Sequence, residues 1–430
     1  MKKALVFLLL FAGCTPCRQC VDPTPELTDQ SGYSVVWNRT IEEADSIEEP
    51  LTLSQAIQFA LLHNRQLQAL FEEMGVAKGE YTNAVLLSNP ALDIAFRYPN
   101  TSGLNLDLEG AVVGPFMELL TYGKRKRLAD WELQIRKQEI SSQVMSFIEE
   151  VALSYFNLYA LENKRAIQKE IVDLAELRRD IALEQQAAGA VGQQLPILFH
   201  TSAKQEGLQY KELDEQTFQA KADLGTLLGT TQPFQIVLTL PQEKLPNTEQ
   251  DYWMQRAWKE RYDVQTLCSQ IQKELTRKGL LEPWIYTQLW AGAAAEREPE
   301  GDWIRGPALS LAIPIFNFGQ GDRTIQAASL WKTYQMLLHL KIEIEQNIYK
   351  LLGQLSDSFS IIEEIENQIL PSNAQSQEQA LRLYNVMNAN VYDLLDRKRE
   401  EFDIQMNLVD VRTFFWSSKA RLLRAAGGAI

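Results

Sequence analysis

Two aspartates near the C-terminal end of the chain have a spacing that would let their carboxylates bind cations together. Asp393 and Asp396 follow the break at Asn388–Asn390 and stand three positions apart. Residues three apart are neighbours on one face of a helix, so the two carboxylates would lie side by side. Rings of carboxylates in a narrow pore favour cations and can bind a divalent ion. The same acids could instead complement the dipole of a helix start, and the pattern leaves both interpretations open.

A second polar set alternates with apolar residues in two short stretches. Its members are Asp93, Arg97, Asn105, Asp107 and Glu109. Their apolar neighbours include Leu92, Ile94, Leu106 and Leu108. Because successive side chains of a strand point to opposite faces, we expect the polar set to line one face, and water, with the apolar residues on the other.

The histidines and cysteines do not form a recognisable catalytic or metal-binding pattern. His63, His200 and His339 fall on separate predicted helices. Cys14, Cys17 and Cys20 have the spacing C-x-x-C-x-x-C without a fourth ligand nearby, and Cys268 stands alone. We therefore predict that the protein is not an enzyme and carries no metal or other cofactor apart from a lipid.

That lipid is expected on Cys14. Lys2 and Lys3 precede a short apolar core, and Ala12-Gly13-Cys14 resembles a bacterial lipobox, which predicts a signal peptide over residues 1–13. Residues 14–50 would then be a lipidated polar linker. A plain secretory signal that happens to contain a cysteine is the alternative.

The charge balance argues against a nucleic-acid partner. The net charge is −14, and the one basic run, Lys124–Arg127, stands where a predicted strand meets a predicted helix. The run suits an interface anchor or a solvated helix start better than a phosphate-binding patch.

The elements that would position these residues occur twice. Trp303–Arg323 is a strand of alternating residues that runs into a long helix, and Leu104–Arg127 has the same order about 200 residues earlier, which indicates an internal duplication. We assign repeat 1 to residues 51–229, a linker to 230–250 and repeat 2 to 251–430. Each repeat has a helix, two strands, a long helix and a returning helix.

The spacing also predicts the element boundaries. The predicted strands are 91–98, 104–113, 284–294 and one that begins at 303. The predicted helices include 52–87 capped by Thr52 or Ser54, 124–188, one that begins near 322 with a kink at Pro371, and 393–426. A helix of some 65 residues would be about 100 Å long, which belongs to a coiled coil or a barrel of helices.

The predicted fold is therefore mainly α with a β-barrel contribution. No apolar run reaches the roughly 18–20 residues of a membrane-spanning helix, whereas strands of about ten residues have outer-membrane length. Four strands cannot close a barrel, so two or three chains would have to combine. The aromatic residues of the strands are expected at the membrane interfaces; they are Tyr98, Trp284, Tyr286, Trp290 and Trp303.

Several motifs resemble the outer-membrane efflux protein family, the TolC family. They are Thr52-Leu53-x-x-Ala56, Asn64-x-x-Leu67, Asn89-Pro90, Gly123-Lys124-Arg125, Gly306-Pro307 with Ile313–Gly319, and Val391–Asp396. Glu118 followed by Gly123-Lys124-Arg125 is most similar to the heavy-metal efflux branch. Asn388 stands where the family often has glycine, which leaves the details of the gate open.

The resemblance implies a homotrimer with a 12-stranded barrel in the outer membrane and a periplasmic barrel of helices. It implies a passive exit duct for drugs, metal ions or other substrates, with a periplasmic adaptor protein and an inner-membrane pump as partners. Asp393 and Asp396 would form the periplasmic gate. A periplasmic coiled-coil tethering lipoprotein is the alternative function, and a lipid-facing apolar stripe on the strands would distinguish the two.

The first testable prediction concerns Cys14. Intact-mass analysis of the mature protein should show a diacylglyceryl group on Cys14, because buried acyl methylenes contribute about 0.8 kcal/mol each and tether the chain. Cys14→Ser should slow assembly more than it reduces conductance. An unmodified mature N-terminus would contradict this assignment.

Overall fold

The computed structural model describes residues 50–98, 100 and 106–428. The helices are Leu53–His63 (α1), Arg65–Val85 (α2), Phe116–Ala187 (α3), Gln194–Leu228 (α4), Gln250–Glu260 (α5), Tyr262–Lys278 (α6), Gln320–Glu364 (α7), Leu370–Asn385 (α8) and Val391–Ala425 (α9). The strands are Ala91–Arg97 (β1), Asp107–Pro115 (β2), Gln288–Arg297 (β3) and Trp303–Ala312 (β4). None of the described helices combines the length and apolar composition needed to cross a membrane.

The described residues fall into two compact units. Residues 71–137 and 275–326 form a unit around the sheet, and residues 50–70, 138–274 and 327–428 form a helical unit. The mainly helical architecture with a small sheet confirms the predicted mainly α class, and closure of the strands into a barrel stays a prediction. Cys14, Cys17, Cys20 and the predicted signal peptide lie outside the described residues.

The sheet is a four-stranded antiparallel meander in the order β1-β2-β3-β4. Asp93 lies opposite Ala111, Glu109 lies opposite Glu296, and Trp290 lies opposite Ser310. The pairing of β2 with β3 joins a strand of repeat 1 to a strand of repeat 2. Because both hairpin turns are at the same end of the sheet, the other end is the one that continues into helices.

The helical unit has a core along the predicted 3.6-residue pattern. Ile344, Ile348, Leu351 and Leu355 are buried along one stripe of α7 and belong to the same apolar cluster as Phe415 of α9. This stripe confirms the helical spacing seen in the sequence, since residues three and four apart share one face.

The duplication is visible at two equivalent joints of the helical unit. Asn64 interrupts repeat 1 between α1 and α2, and an added Cβ on Gly229 would lie 2.6 Å from the carbonyl oxygen of His63. Arg261 interrupts repeat 2 between α5 and α6, and a Cβ on Gly427 would lie 2.7 Å from its backbone nitrogen. In each repeat, therefore, the end of the returning helix packs closely against the break in the first helical segment.

The break at Asn64 corrects the prediction of one helix over 52–87. The Asn64 side chain accepts a hydrogen bond from the Leu67 amide at 2.9 Å and donates to the carbonyls of Thr226 and Leu227 at 3.4 and 2.9 Å. Asn64 therefore caps α2 while it fixes the end of α4. Thr52, one of the two predicted caps, caps α1 in a capping box with Gln55.

The third strand also differs from its prediction. Pro283–Tyr286 forms a 3-10 turn, and β3 begins only at Gln288. Pro283 has no backbone N–H for a ladder, and the Tyr286 hydroxyl donates to the Asp322 carboxylate at 2.8 Å, which holds this segment out of the sheet. Trp284 and Tyr286 therefore lie on a turn, and the predicted start of the third strand at residue 284 is wrong.

The helix boundaries shift by smaller amounts. Helix α3 begins at Phe116, eight residues before the predicted Lys124, because it starts directly after Pro115 ends β2. Helix α9 begins at Val391 rather than Asp393. The predicted irregularity near Pro371 takes the form of a π-helical turn over Ile365–Ile369, just before the proline.

The close approach at Gly229 gives a stability prediction. Gly229→Ala should lower the midpoint of thermal unfolding strongly, because φ is +73° and the new Cβ would meet backbone atoms that cannot rotate away. Gly189→Ala is the matched control, since φ is +74° but no atom lies within 4 Å. The left-handed conformation costs about 1–2 kcal/mol in both variants, and the clash should bring Gly229→Ala to roughly 3 kcal/mol or more. Equal shifts would contradict the assigned packing.

Candidate functional site

The register of the sheet sorts its side chains onto two faces. One face, named the polar face here, carries five of the seven charged residues of the strands, and these are Asp93, Arg97, Asp107, Glu109 and Glu296. All of the predicted pore-lining residues that the structure describes therefore share one face; Asn105 lies outside the described residues. Their role as pore lining stays a prediction.

The opposite face, named the apolar face, is exposed. Five of its large side chains have exposed fractions above one half, as follows: Leu92 65%, Ile94 54%, Phe96 59%, Leu309 73% and Leu311 55%. Nothing within the described chain covers them. Small residues, including Gly110, Ala291 and Ala293, fill much of the remainder of this face.

An ion-pair cluster occupies the hairpin end of the polar face. The Arg97 guanidinium lies 2.6 Å from a carboxylate oxygen of Glu109 and 3.6 Å from one of Asp107. Glu296 of β3 is directly opposite Glu109. Carboxylates thus outnumber the arginine three to one here, which favours cations near this end. Sequence reasoning missed Glu296, because only the strand register brings it next to Glu109.

Each strand-to-helix joint is fixed by an acid in the first turn of the helix. Glu118 of α3 accepts hydrogen bonds from the backbone N–H and hydroxyl of Ser88 at 2.9 and 2.8 Å, and Arg125 lies 3.3 Å away. Partial burial opposes ionisation, but the Ser88 hydrogen bonds and the Arg125 charge outweigh it and hold the pKa of Glu118 below its usual value. Asp322 has the same position in repeat 2, where it binds Tyr286.

The candidate gate residue Asp393 has a capping role in the structure. Asn390 is the N-cap of α9, and its backbone N–H donates to the Asp393 carboxylate at 3.1 Å. This geometry matches the interpretation of Asp393 as a helix-start acid. The role of Asp393 at a pore stays a prediction.

The second candidate, Asp396, forms an ion pair with Arg178 of α3. The Arg178 side chain is mostly buried, at 19% exposure, and its guanidinium lies 5.4 Å from the Phe199 ring centroid. The Tyr392 ring is tilted against the Phe199 ring, with centroids 4.9 Å apart, and the Tyr392 hydroxyl donates to the Gln185 side chain at 3.0 Å. These contacts hold the start of α9 against the hairpin formed by α3 and α4.

Sequence reasoning missed Arg178 altogether. Arg178 and Asp396 are 218 positions apart, and Arg178 stands in a helix with many other charges. Among the described residues, no group of three or more His, Cys, Asp or Glu side chains could hold a metal ion. Cys268 is exposed and free.

The fold is that of bacterial outer-membrane channels. The CmeC outer-membrane channel of Campylobacter jejuni superposes with a TM-score of 0.72 at 16% identity, covering 91% of this chain and 90% of CmeC. VceC of Vibrio cholerae, an outer-membrane protein, also gives 0.72 at 15% identity, covering 88% of this chain and 96% of VceC.

A sequence relative has a more specific description. The cobalt-zinc-cadmium resistance protein CzcC of Cupriavidus metallidurans is 21% identical over 370 residues, which cover 84% of this chain and 86% of CzcC. No family model matches the chain. The comparisons confirm the resemblance to the outer-membrane efflux protein family at the level of the fold, and these relatives agree with the prediction that the chain is not an enzyme.

The Arg178–Asp396 pair gives a prediction for the start of α9. Arg178→Gln and Asp396→Asn should each speed hydrogen exchange of the backbone amides near 391–396, and the double variant should show a coupling of about 0.5–1 kcal/mol for this partly exposed pair. Arg179→Gln is the matched control, because Arg179 pairs with Glu176 and Asp180 on its own helix. Strict additivity of the two substitutions would contradict a direct pair.

Proposed function

We propose that the protein is the outer-membrane exit duct of a tripartite efflux or secretion system. It is a passive channel through which substrates leave the periplasm. A periplasmic adaptor protein and an inner-membrane pump are the expected partners, as the family resemblance implies, and the pump supplies the energy.

The observation that carries this proposal is the sorting of charged and large apolar side chains onto opposite faces of the sheet. A soluble sheet buries its apolar face, whereas here Leu309 and Leu311 are exposed beside a polar face that holds five charged residues. A strand that separates lipid from water requires this alternation.

The open edges of the sheet support closure by several copies. β1 and β4 are the outer strands of the four-stranded sheet, so each presents unpaired backbone groups. An unpaired backbone N–H or C=O group costs about several kcal/mol in hydrocarbon. The edge groups must therefore find hydrogen-bond partners on neighbouring chains. Three copies give a 12-stranded barrel with room for a channel, which is why we favour a homotrimer.

The proposed location is the bacterial outer membrane, with the helices in the periplasm. A lipid on Cys14 would add an anchor beside the barrel. The exported substrate is proposed to be metal ions, since the relative CzcC is a cobalt-zinc-cadmium resistance protein and the sequence around Glu118 is similar to the heavy-metal branch.

The proposed periplasmic gate consists of Asp393 and Asp396. Two carboxylates per protomer make six in a trimer, and in water-like dielectric each pair about 6 Å apart repels by roughly 0.7 kcal/mol. The Arg178 pair lowers this repulsion for Asp396. The six carboxylates therefore act as unpaired negative charges only where the Arg178–Asp396 ion pairs are broken.

Single substitutions on the two faces test the duct. Leu309→Arg should prevent assembly in the membrane, because a cation on the lipid face costs roughly 2–4 kcal/mol per chain at mid-membrane. Ser310→Arg is the matched control; it adds the same side chain to the neighbouring residue on the polar face, so it should assemble and only change conductance. The measurements are the mass of the detergent-solubilised assembly and single-channel conductance in planar bilayers.

The outcomes separate the duct from the tethering lipoprotein. Equal damage from both substitutions would refute the assigned faces. A wild-type protein that forms no channel in any bilayer would refute the duct and favour a periplasmic coiled-coil tether.

The gate assignment has its own test. Asp393→Asn with Asp396→Asn should lower cation selectivity and weaken block by a trivalent cation. Arg178→Gln should have the opposite effect on selectivity, because it frees the Asp396 charge. Unchanged selectivity and block in both variants would show that the gate lies elsewhere, and the duct could still stand.

A further inference from the structure

The apolar face of the sheet carries two charged residues among the described strands, and both are arginines. Arg297 of β3 and Arg305 of β4 lie on the face of Leu309 and Leu311. Every carboxylate of the described strands lies on the polar face. The charged residues of the apolar face are therefore all cationic among the described strands, whereas the polar face carries the carboxylates.

The two arginines are neighbours at the hairpin end. Arg297 is directly opposite Trp303 across the β3–β4 pair, and Arg305 is two residues farther along β4. Diagonal neighbours of this kind are about 7–8 Å apart at Cα, within reach of long side chains. The Arg305 guanidinium lies 5.6 Å from the Trp303 ring centroid, and Trp303 is 52% exposed. Arg297, Trp303 and Arg305 therefore form one exposed cluster, named the arginine–tryptophan cluster here.

No acidic residue within the described chain pairs with either guanidinium. Glu298, Glu300 and Asp302 belong to the turn beyond the strand ends and form no ion pair with the cluster. Two cations thus stand side by side without a direct ion-pair partner among the described residues, and an external anion would stabilise them.

The position of the cluster along the strands indicates which anion it would meet in a membrane. Arg305 and Leu311 are six positions apart, which is about 20 Å along the strand, close to the height of an outer-membrane apolar band. A cation on the lipid face costs roughly 0–1 kcal/mol near an interface, against 2–4 at the midplane, and exposed tryptophan is typical of the same interface. The cluster is therefore at headgroup level when Leu309 and Leu311 are in hydrocarbon.

We infer that the arginine–tryptophan cluster binds the phosphate of a phosphorylated lipid headgroup in the leaflet that meets the hairpin end of the sheet. The inference rests on the proposed membrane insertion of the apolar face. Each guanidinium offers a planar fork of N–H donors that matches phosphate oxygens. Trp303 lies beside Arg297 at the hairpin end, where its exposed ring would pack against the sugar of the headgroup. The lipid is thereby held on the outside of the duct, separate from its polar face.

The test uses the full-length protein in nanodiscs, with native mass spectrometry as the readout of bound lipid. The probes are a bis-phosphorylated glycolipid, the same glycolipid after dephosphorylation, and inorganic phosphate as competitor. A chelator is present throughout, so that a metal bridge from the turn carboxylates cannot imitate direct contact. The wild type should bind the phosphorylated lipid and discriminate against the dephosphorylated one.

The variants locate the site. Arg297→Gln and Arg305→Gln should each weaken binding of the phosphorylated lipid about tenfold, as loss of a charge-assisted hydrogen bond does. The double Arg→Lys variant, which keeps charge but loses the fork, should fall between the wild type and the double Arg→Gln variant. Lys332→Gln with Lys350→Gln is the charge-matched control on exposed positions of α7 and should bind as the wild type does.

Each outcome decides the inference. Equal binding of the phosphorylated and dephosphorylated lipids, or wild-type binding by the double Arg→Gln variant, would overturn it. Displacement of the lipid by millimolar inorganic phosphate would reassign the cluster to a free-anion site. If the double variant fails to assemble, the comparison of the two lipids on the wild type decides. Single-channel conductance reports on the duct independently, so failure of lipid binding with normal conductance refutes this inference alone.

Discussion

The pairing of β2 with β3 is the constraint on which both faces of the sheet depend, because it joins the two repeats. An added Cβ on Gly292 would lie 1.8 Å from the carbonyl oxygen of Val112, so the two backbones approach closely where a side chain is missing. A shift of this register by one residue would exchange the faces of one hairpin relative to the other. Glu109 and Glu296 would then no longer share a face with each other.

Local periodicity made much of this architecture predictable. The alternation of Leu309 and Leu311 with small residues is a property of adjacent positions, so strand β4 and its faces follow from sequence alone. The same holds for the apolar stripe of α7 and for the order of elements in the two repeats. The break at Asn64 does not follow in this way, because its side chain binds carbonyls 162 and 163 residues away. The turn at Pro283–Tyr286 likewise depends on Asp322 across the joint.

In the candidate site, too, contacts between residues close in sequence were predictable and contacts between distant residues were not. The capping contact of Asp393 involves a residue three positions away, and a helix-start acid was one of the two interpretations that the pattern left open. The ion pair of Asp396 with Arg178 joins two helices that are distant in sequence, so residue type and spacing gave no signal for it. The two carboxylates of the proposed gate therefore differ in their partners, since Asp393 caps its own helix and Asp396 pairs with Arg178.

The two repeats also differ where the duplication predicts equivalence. Helix α3 runs for 72 residues without interruption, whereas the corresponding segment of repeat 2 is divided by the π turn at Ile365–Ile369. A π turn adds about one residue to a helical turn, which rotates the following residues by roughly 100° around the axis. The turn contains Glu366, which pairs with Arg412 of α9. Helix α8 therefore continues in a different phase from α7, and the hairpin that carries Asp393 and Asp396 presents its side chains differently from its counterpart in repeat 1. The same duplicated motif thus forms an uninterrupted helix in repeat 1. In repeat 2 it forms a helix whose phase is shifted by the π turn before the hairpin with the candidate gate.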